Sequence, residues 1–184
     1  MPRLIEQSAR SMEKISELVE DLLNVTRIKE GQVMLTKKKF SIAGLLDECC
    51  SHLRQLGTHK LVVQGNKELQ IVADENRIEQ VIFNFINNAV KYAPSSREIF
   101  LTIEDLDNSV KISVRDTGPG IPPSMVPHLF DRYFRADQTG AQVSGLGLGL
   151  YISADIIRRH GGEIGVDSVE GVGTTFWFTV PAER

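Results

Sequence analysis

Three clusters of residues in this sequence have types and spacings that could do chemistry. Asn84, Asn87 and Asn88 lie amid apolar neighbours, and Asn84 and Asn88, four apart, share one face of any helix that contains them. Lys91 follows three residues after Asn88. Asparagine is a poor interior helix former and is costly to bury unpaired, so two on one face need partners. Those partners are either nearby loops or a ligand, and for a ligand the amide oxygens suit a hard cation while the lysine suits phosphate oxygens. The second cluster is Asp116-Thr117-Gly118-Pro119-Gly120-Ile121. A carboxylate at a strand end can accept a hydrogen bond from an exocyclic amine such as adenine's, and Gly118 and Gly120 allow close backbone approach. An ordinary Asp-Gly turn would use the same residues. The third is Gly145-Leu146-Gly147-Leu148-Gly149-Leu150 at a helix start, where free N–H groups and the helix dipole favour an anion. The alternative there is a hinge of small residues. No Gly-Lys-Ser/Thr follows, and the glycine spacing is not that of a dinucleotide fingerprint.

Regular elements must hold these clusters. Asp74 is placed to cap a helix running to Tyr92, with Ile78, Val81, Ile82, Phe85, Ile86 and Ala89 on its apolar side and Pro94 to end it. Upstream, Ser41 can cap a helix from Ile42 to about Leu56, stopped by Gly57. Leu61-Val62-Val63 and Gln70-Ile71-Val72 have the character of short strands around the turn-prone Gly65-Asn66. Ile99 to Ile103 and Val110 to Val114 alternate cleanly about Asp107-Asn108, with Lys111 and Arg115 on the outward face. Residues 117–144 are rich in Gly and Pro, which suits a functional loop or lid. A helix from about Leu148 to His160 stops at Gly161-Gly162, and Ile164 to Val166 and Thr174 to Val180 complete the strands. The predicted class is α+β, an α/β sandwich in which a mixed sheet is covered by helices, preceded by one long amphipathic helix. That helix is expected because Ile5, Ser8, Met12, Ile15, Val19, Leu22 and Thr26 recur at alternating spacings of three and four. It could lie on its own domain or form one arm of a helical dimer.

Composition narrows the function classes. The 184 residues carry 21 basic and 24 acidic side chains, a formal charge of −3, which argues against nucleic-acid binding by bulk charge. Hydrophobic residues at 41% and charged residues at 24% are globular proportions. No apolar run approaches the ~20 residues of a membrane span. The only cysteines, Cys49 and Cys50, are adjacent, a poor arrangement for a disulfide and for a cysteine metal site. A reducing, cytoplasmic setting is expected, with a longer parent protein that membrane anchoring would also suit.

The order of the clusters resembles a known family. Asn84-Phe85-Ile86-Asn87-Asn88-Ala89-Val90-Lys91-Tyr92 is similar to the N box of sensor histidine kinases, and Asp116 to Ile121 to their first glycine box. Phe130-Asp131-Arg132-Tyr133-Phe134 resembles the phenylalanine box that marks kinases within the GHKL ATPase superfamily, whose fold is the Bergerat type. Gly145 to Leu150 and Gly171-Val172-Gly173-Thr174-Thr175 complete the set, so the resemblance covers about Phe40 to Pro181. It also covers the N-terminal helix, since Arg10 to Gly31 is similar to the second helix of a dimerisation and histidine-phosphotransfer domain. The resemblance thus implies an incomplete dimerisation domain over residues 1–35 and a catalytic ATP-binding domain over 36–184.

The resemblance further implies that Asn84, Asn88 and Lys91 are catalytic, with Asn88, joined by Asn84, coordinating Mg²⁺. Lys91 and Arg135 would face phosphates, Tyr92 would pack on adenine and Asp116 would accept its amino group. Gly118, Gly120, Ile121, Phe130, Tyr133, Gly145, Leu146, Gly147, Leu148, Gly149 and Thr174 complete the implied nucleotide site. The implied reaction transfers the ATP γ-phosphoryl group to a histidine for relay to a response-regulator receiver domain, in a parent that dimerises through the N-terminal helix. His52, His59, His128 and His160 each lack the family's His-acidic-Arg/Lys-Thr/Ser-Pro pattern, so the acceptor is expected outside this chain, and His160 is expected to be structural. Two other functions are compatible with the same nucleotide motifs: a serine kinase of the superfamily that acts on an anti-sigma antagonist, and a non-catalytic nucleotide-binding module.

Overall fold

The computed structural model describes residues 34–56, 59–135 and 146–182, together with Met12, Ile15, Ser16, Val19, Leu22, Leu23 and Thr26. In chain order the elements are β1 (Lys38–Ser41), α1 (Ile42–Leu56), β2 (Lys60–Gly65), β3 (Gln70–Ala73), α2 (Glu75–Tyr92), β4 (Glu98–Leu106) and β5 (Ser109–Arg115). A 3₁₀ turn at Val126–His128, then α3 (Gly149–Arg159), β6 (Ile164–Val169) and β7 (Gly173–Pro181) follow. Five strands form a mixed sheet in the order β2-β4-β5-β7-β6. β2 runs parallel to β4, with Leu61 opposite Ile99, and the other neighbours are antiparallel.

The helices begin where their capping side chains stand. Ser41 Oγ accepts from Gly44 N at 3.4 Å at the head of α1, and Asp74 Oδ1 accepts from Arg77 N at 3.3 Å at the head of α2. The apolar face of α2 buries Ile78, Val81, Ile82, Phe85, Ile86 and Ala89. It packs on Ile99, Leu101 and Ile103 of β4, Val110, Ile112 and Val114 of β5, and Phe176, Phe178 and Val180 of β7, all buried. Phe85 lies at the centre of this layer, its ring centroid 5.3 Å from that of Phe176 and 6.1 Å from that of Phe178. On the other face of the sheet, the Lys111 ammonium lies 4.8 Å from the Trp177 ring centroid.

Two features go beyond the sequence expectation. The segments around Leu61 and Gln70 are strands, yet they do not pair with each other. β2 joins the edge of the large sheet, whereas β3 pairs antiparallel with β1, Phe40 opposite Ile71. Gly65, at φ +94°, turns the chain out of the sheet against the Ile103 carbonyl. β1 itself escapes sequence reading because Lys38 and Lys39 are exposed and only Phe40 of its four residues is buried. Of the N-terminal segment, the described residues are helical, and Thr26 Oγ1 donates to Leu22 O at 2.9 Å. Met12, Ile15, Val19, Leu22 and Leu23 are each more than half exposed, from 51% to 69%. Ile5, Ser8 and Gly31 lie outside the described residues.

α2 and α3 are the elements that matter most for the site, and they lie side by side in opposite directions. The N-terminal end of α2 meets the C-terminal end of α3, where Asp74 N donates to His160 Nε2 at 3.0 Å. His160 is 3% exposed, and its Nδ1 bonds the Ile156 carbonyl at 2.8 Å, so the proton sits on Nδ1 and Nε2 is the acceptor. Asp74 also accepts from Thr36 N through Oδ2 at 2.9 Å. The expectation that His160 is structural agrees with this placement. Burial holds its pKa below the ordinary histidine value, aided by the nearby Lys37 charge and opposed by the Ile156 carbonyl and Asp74.

Candidate functional site

A cavity of about 720 Å³ opens between α2, the turn after β5 and the start of α3. α2 contributes Asn84, Asn87, Asn88, Val90, Lys91 and Tyr92. These residues reach the cavity because the helix buries its other stripe under Phe85 and Ile86, which turns the polar stripe toward α3. The turn after β5 contributes Asp116, Pro119, Gly120, Ile121 and Pro122. Across from them stand Leu146, Gly147, Leu148, Gly149 and Leu150, and Thr174 and Phe176 from β7 close the floor.

Asp116 is the most constrained of these groups. It directly follows the last residue of β5, is 7% exposed, and bonds β7 through its backbone N to Thr174 O at 2.9 Å. Its Oδ1 accepts from Gly118 N at 2.8 Å and Thr174 N at 3.4 Å, while no described residue bonds Oδ2. Burial pushes the carboxyl pKa up, and the two backbone donors partly offset this. The close approach of β7 requires Gly173, because a Cβ there would lie 2.2 Å from the Asp116 carbonyl oxygen. Further ties fix the glycine turn. Thr117 N donates to Ser96 Oγ at 3.1 Å, Ile121 N to Ser168 Oγ at 2.9 Å, and Gly171 N to Pro119 O at 2.7 Å.

The asparagines differ in how committed they are. Asn84 Nδ2 donates to Ser153 Oγ at 3.0 Å, across the α2–α3 seam. Among the described residues, no hydrogen bond engages the side-chain amides of Asn87 or Asn88. The Lys91 ammonium lies 5.1 Å from the Tyr92 ring centroid, and Tyr92 is 40% exposed, which leaves an aromatic surface at the cavity. Arg135 and Phe134 also line the cavity, with the Phe134 ring centroid 5.7 Å from that of His128 and the rings tilted by 38°.

Most of the expected site residues therefore converge on one cavity: Asn84, Asn88, Lys91, Tyr92, Asp116, Gly120, Ile121, Arg135, Leu146, Gly147, Leu148, Gly149 and Thr174. Three others do not line it. Gly118 packs against Ala93 and donates to Asp116 instead. Phe130 packs against the core. Tyr133 is 52% exposed at φ +66°, bonded through its N to Gly147 O and covered by the Arg132 guanidinium at 4.6 Å. Gly145 lies outside the described residues. The site expected from sequence left out Asn87, Val90, Pro119, Pro122, Met125, Leu129, Phe134, Leu150 and Phe176 as cavity walls, and Ser96, Ser153 and Ser168 as supports. Asn87, Val90, Pro119, Phe134 and Leu150 carried a signal, since each stands inside one of the quoted motifs; the serines are ordinary residues remote along the chain.

Comparison with known proteins accords with this geometry. The family of histidine kinase-, DNA gyrase B-, and HSP90-like ATPases matches residues 73–184. The adaptive-response sensory kinase SasA of Microcystis aeruginosa is 33% identical over 187 residues, covering 99% of this chain and 48% of that protein. The sensor histidine kinase WalK of Bacillus subtilis is 31% identical over 186 residues, covering 98% of this chain and 30% of that protein. The chain therefore spans about half or less of the length of these curated relatives. Among solved structures, full-length ShkA in complex with AMPPNP superimposes with a TM-score of 0.82 at 28% identity, covering 99% of this chain and 39% of that one. The nucleotide-free catalytic domain of the histidine kinase ThkA gives 0.66 at 30% identity, covering 79% of this chain and 95% of that one. With the asparagine helix, the buried aspartate and the glycine-rich helix start all on one cavity, and with the family match spanning more than half of the residues, this chain belongs to the histidine kinase-, DNA gyrase B-, and HSP90-like ATPase family.

Proposed function

We propose that this chain is the catalytic, ATP-binding portion of a sensor histidine kinase, and that it transfers the γ-phosphoryl group of ATP to a histidine located outside it. The observation that carries this reading is the convergence of Asn84, Asn88, Lys91, Asp116 and the Gly147–Gly149 segment on one cavity. Adenine would enter against Tyr92, with its amino group donating to Asp116. The triphosphate would extend toward Lys91, Arg135 and the free N–H groups at the head of α3. The relatives named above are sensor kinases, which favours this reading over a serine kinase or an inactive module.

Magnesium fits the same end of the cavity. Its walls offer asparagine amide oxygens, which are hard donors, and among the described residues no group of three or more His, Cys, Asp or Glu side chains could hold a metal. A cation there would therefore draw most of its ligands from phosphate and water, and Asn88, joined by Asn84, would hold it. When bound, it would neutralise charge on the transferring phosphoryl group. The protein's own part is positioning. Asp116 and Tyr92 fix the base, and Lys91 and Arg135 fix the phosphates. A neutral imidazole nitrogen then forms the N–P bond as the bond to the ADP β-oxygen breaks. The product is a phosphohistidine, which a receiver-domain aspartate of a response regulator would accept in turn.

The exposed apolar residues Met12, Ile15, Val19, Leu22 and Leu23 support a partner role for residues 1–35 as the second helix of a dimerisation and phosphotransfer domain. With that role go a homodimer of the parent protein, a cytoplasmic setting and a catalytic domain over 36–184, each part of the same proposal. Among the described residues no helix is long and apolar enough to cross a membrane. The test is transfer in trans. With γ-labelled ATP and magnesium, the chain should label a separate helical domain that carries the phosphoacceptor histidine, in an acid-labile form, and should not label itself. Label on serine, or on neither protein while ATP binds, would refute the reading.

A further inference from the structure

The polar seam between α2 and α3 contains a buried side chain bonded to one that lines the cavity. Gly149 and Ser153 are four apart on α3 and so lie on one face, and together they form a notch for the Asn84 amide. Ser153 is 1% exposed and is absent from the cavity walls, whereas Asn84 and Gly149 both line the cavity. Ser153 Oγ accepts from Asn84 Nδ2 at 3.0 Å. The Asn84 carbonyl oxygen lies against Gly149, so close that a Cβ there would be 2.4 Å away. The two ends of an asparagine amide are nearly equal in shape but opposite in hydrogen-bonding character. A serine hydroxyl can accept from the NH₂ end or donate to the oxygen. Gly149, however, is the first residue of α3, where the free N–H groups and the helix dipole favour the oxygen. The hydroxyl therefore takes the NH₂ end, and the oxygen is left beside Gly149 at the cavity rim. Asn88, by contrast, has no such partner among the described residues.

We propose that Ser153 is a positioning residue, which fixes the orientation of the Asn84 amide so that its oxygen is presented to the metal–phosphate end of a bound nucleotide. The inference rests on the reading of the cavity as a magnesium–nucleotide site. Without Ser153 the NH₂ group has no acceptor in the seam, and the amide can turn it toward the cation, a repulsive arrangement. The expected loss is about five- to tenfold in affinity, the factor that one neutral hydrogen bond is worth. Adenosine, which has no phosphates, should not sense the change.

The test is calorimetric titration of the full chain with ADP plus magnesium, ADP plus chelator, and adenosine. It covers the wild type, Ser153→Ala, Ser153→Cys, Asn84→Ala and the Ser153→Ala/Asn84→Ala double variant. Ser153→Cys fills the same space with a weak acceptor, so it should match Ser153→Ala. Both should weaken magnesium–ADP about five- to tenfold and leave adenosine unchanged. In the Asn84→Ala background, Ser153→Ala should cause no further loss, because its only route to the ligand has been removed. An unchanged magnesium–ADP affinity in Ser153→Ala overturns the proposal. So does an equal loss for adenosine, which would mark a general structural role, or a loss that persists without Asn84. If ADP affinity in the wild type does not respond to magnesium, both the site reading and this inference fall; a responsive wild type with a silent Ser153→Ala sinks the inference alone.

Discussion

Replacing Asp116 by asparagine should separate nucleotide binding from stability. In the folded chain Oδ1 of Asp116 is held by the N–H groups of Gly118 and Thr174, and no described residue bonds Oδ2. Asparagine can keep its oxygen on those two donors, but its NH₂ group then replaces the acceptor offered to adenine. The loss is one hydrogen bond to a charged group, about 1.5–3 kcal/mol, or roughly 10- to 150-fold in affinity. The fold should respond in the opposite sense. Burial has raised the pKa of Asp116 above its unfolded value, so the ionised form is disfavoured in the native state. That group's contribution to stability therefore improves as pH falls through the raised value, and a neutral amide should give an equal or higher melting temperature at neutral pH. In the wild type, adenine-nucleotide affinity should decline over the same acid range, as the acceptor becomes protonated. Calorimetric titration with ADP and GDP, paired with scanning calorimetry of the free chain, reads both effects. Asp116→Asn should lose ADP affinity and much of the preference for ADP over GDP, with no loss of melting temperature. Unchanged ADP affinity would refute the role of the carboxylate, and a melting temperature lowered by several degrees would show that the substitution acts on the fold instead.

Three further outcomes follow from the packing. Phe85→Ala opens a cavity among Phe176, Phe178 and the sheet and should cost about 3–5 kcal/mol, read as a lowered denaturant midpoint with the slope retained. For His160 the folded pKa lies below the unfolded value of about 6.5, so the stability from burying the neutral ring is present above that pH and is lost as pH falls below it. Thermal melts from pH 8 to pH 5 should show this decline in the wild type and a flatter profile in His160→Gln. Gly173→Ala would force a methyl group to within 2.2 Å of the Asp116 carbonyl at φ +143°. It should lower the melting temperature by more than the few degrees expected of ~1 kcal/mol, and weaken ADP binding with it.

The local grammar of this chain is legible in its sequence because each signal acts over a few residues. Ser41 and Asp74 cap the helices that they precede, and the 3.6-residue period of α2 sets Phe85 inward and Asn84 and Asn88 outward. Alternation in β4 and β5 sorts Ile99, Leu101 and Ile103 from their polar neighbours. Residue types and spacing also nominated Asn84, Asn88, Lys91, Asp116 and Gly147–Gly149, although an ordinary Asp-Gly turn or a hinge of small residues would use several of the same residues. Pairings between distant segments are another matter. That β2 leaves β3 and joins β4, that two lysines and Phe40 make a strand, and that Ser96 and Ser168 hold the glycine turn all depend on contacts made only once the sheet is assembled. The same holds for Gly118, Phe130 and Tyr133, which lie within the motifs and yet outside the cavity walls. Motif membership is a property of spacing along the chain, whereas access to the cavity is decided by which face the folded backbone turns toward it. The seam of Asn84, Gly149 and Ser153 exists only because α2 and α3 lie antiparallel, 69 residues of sequence separating the amide from the hydroxyl that orients it.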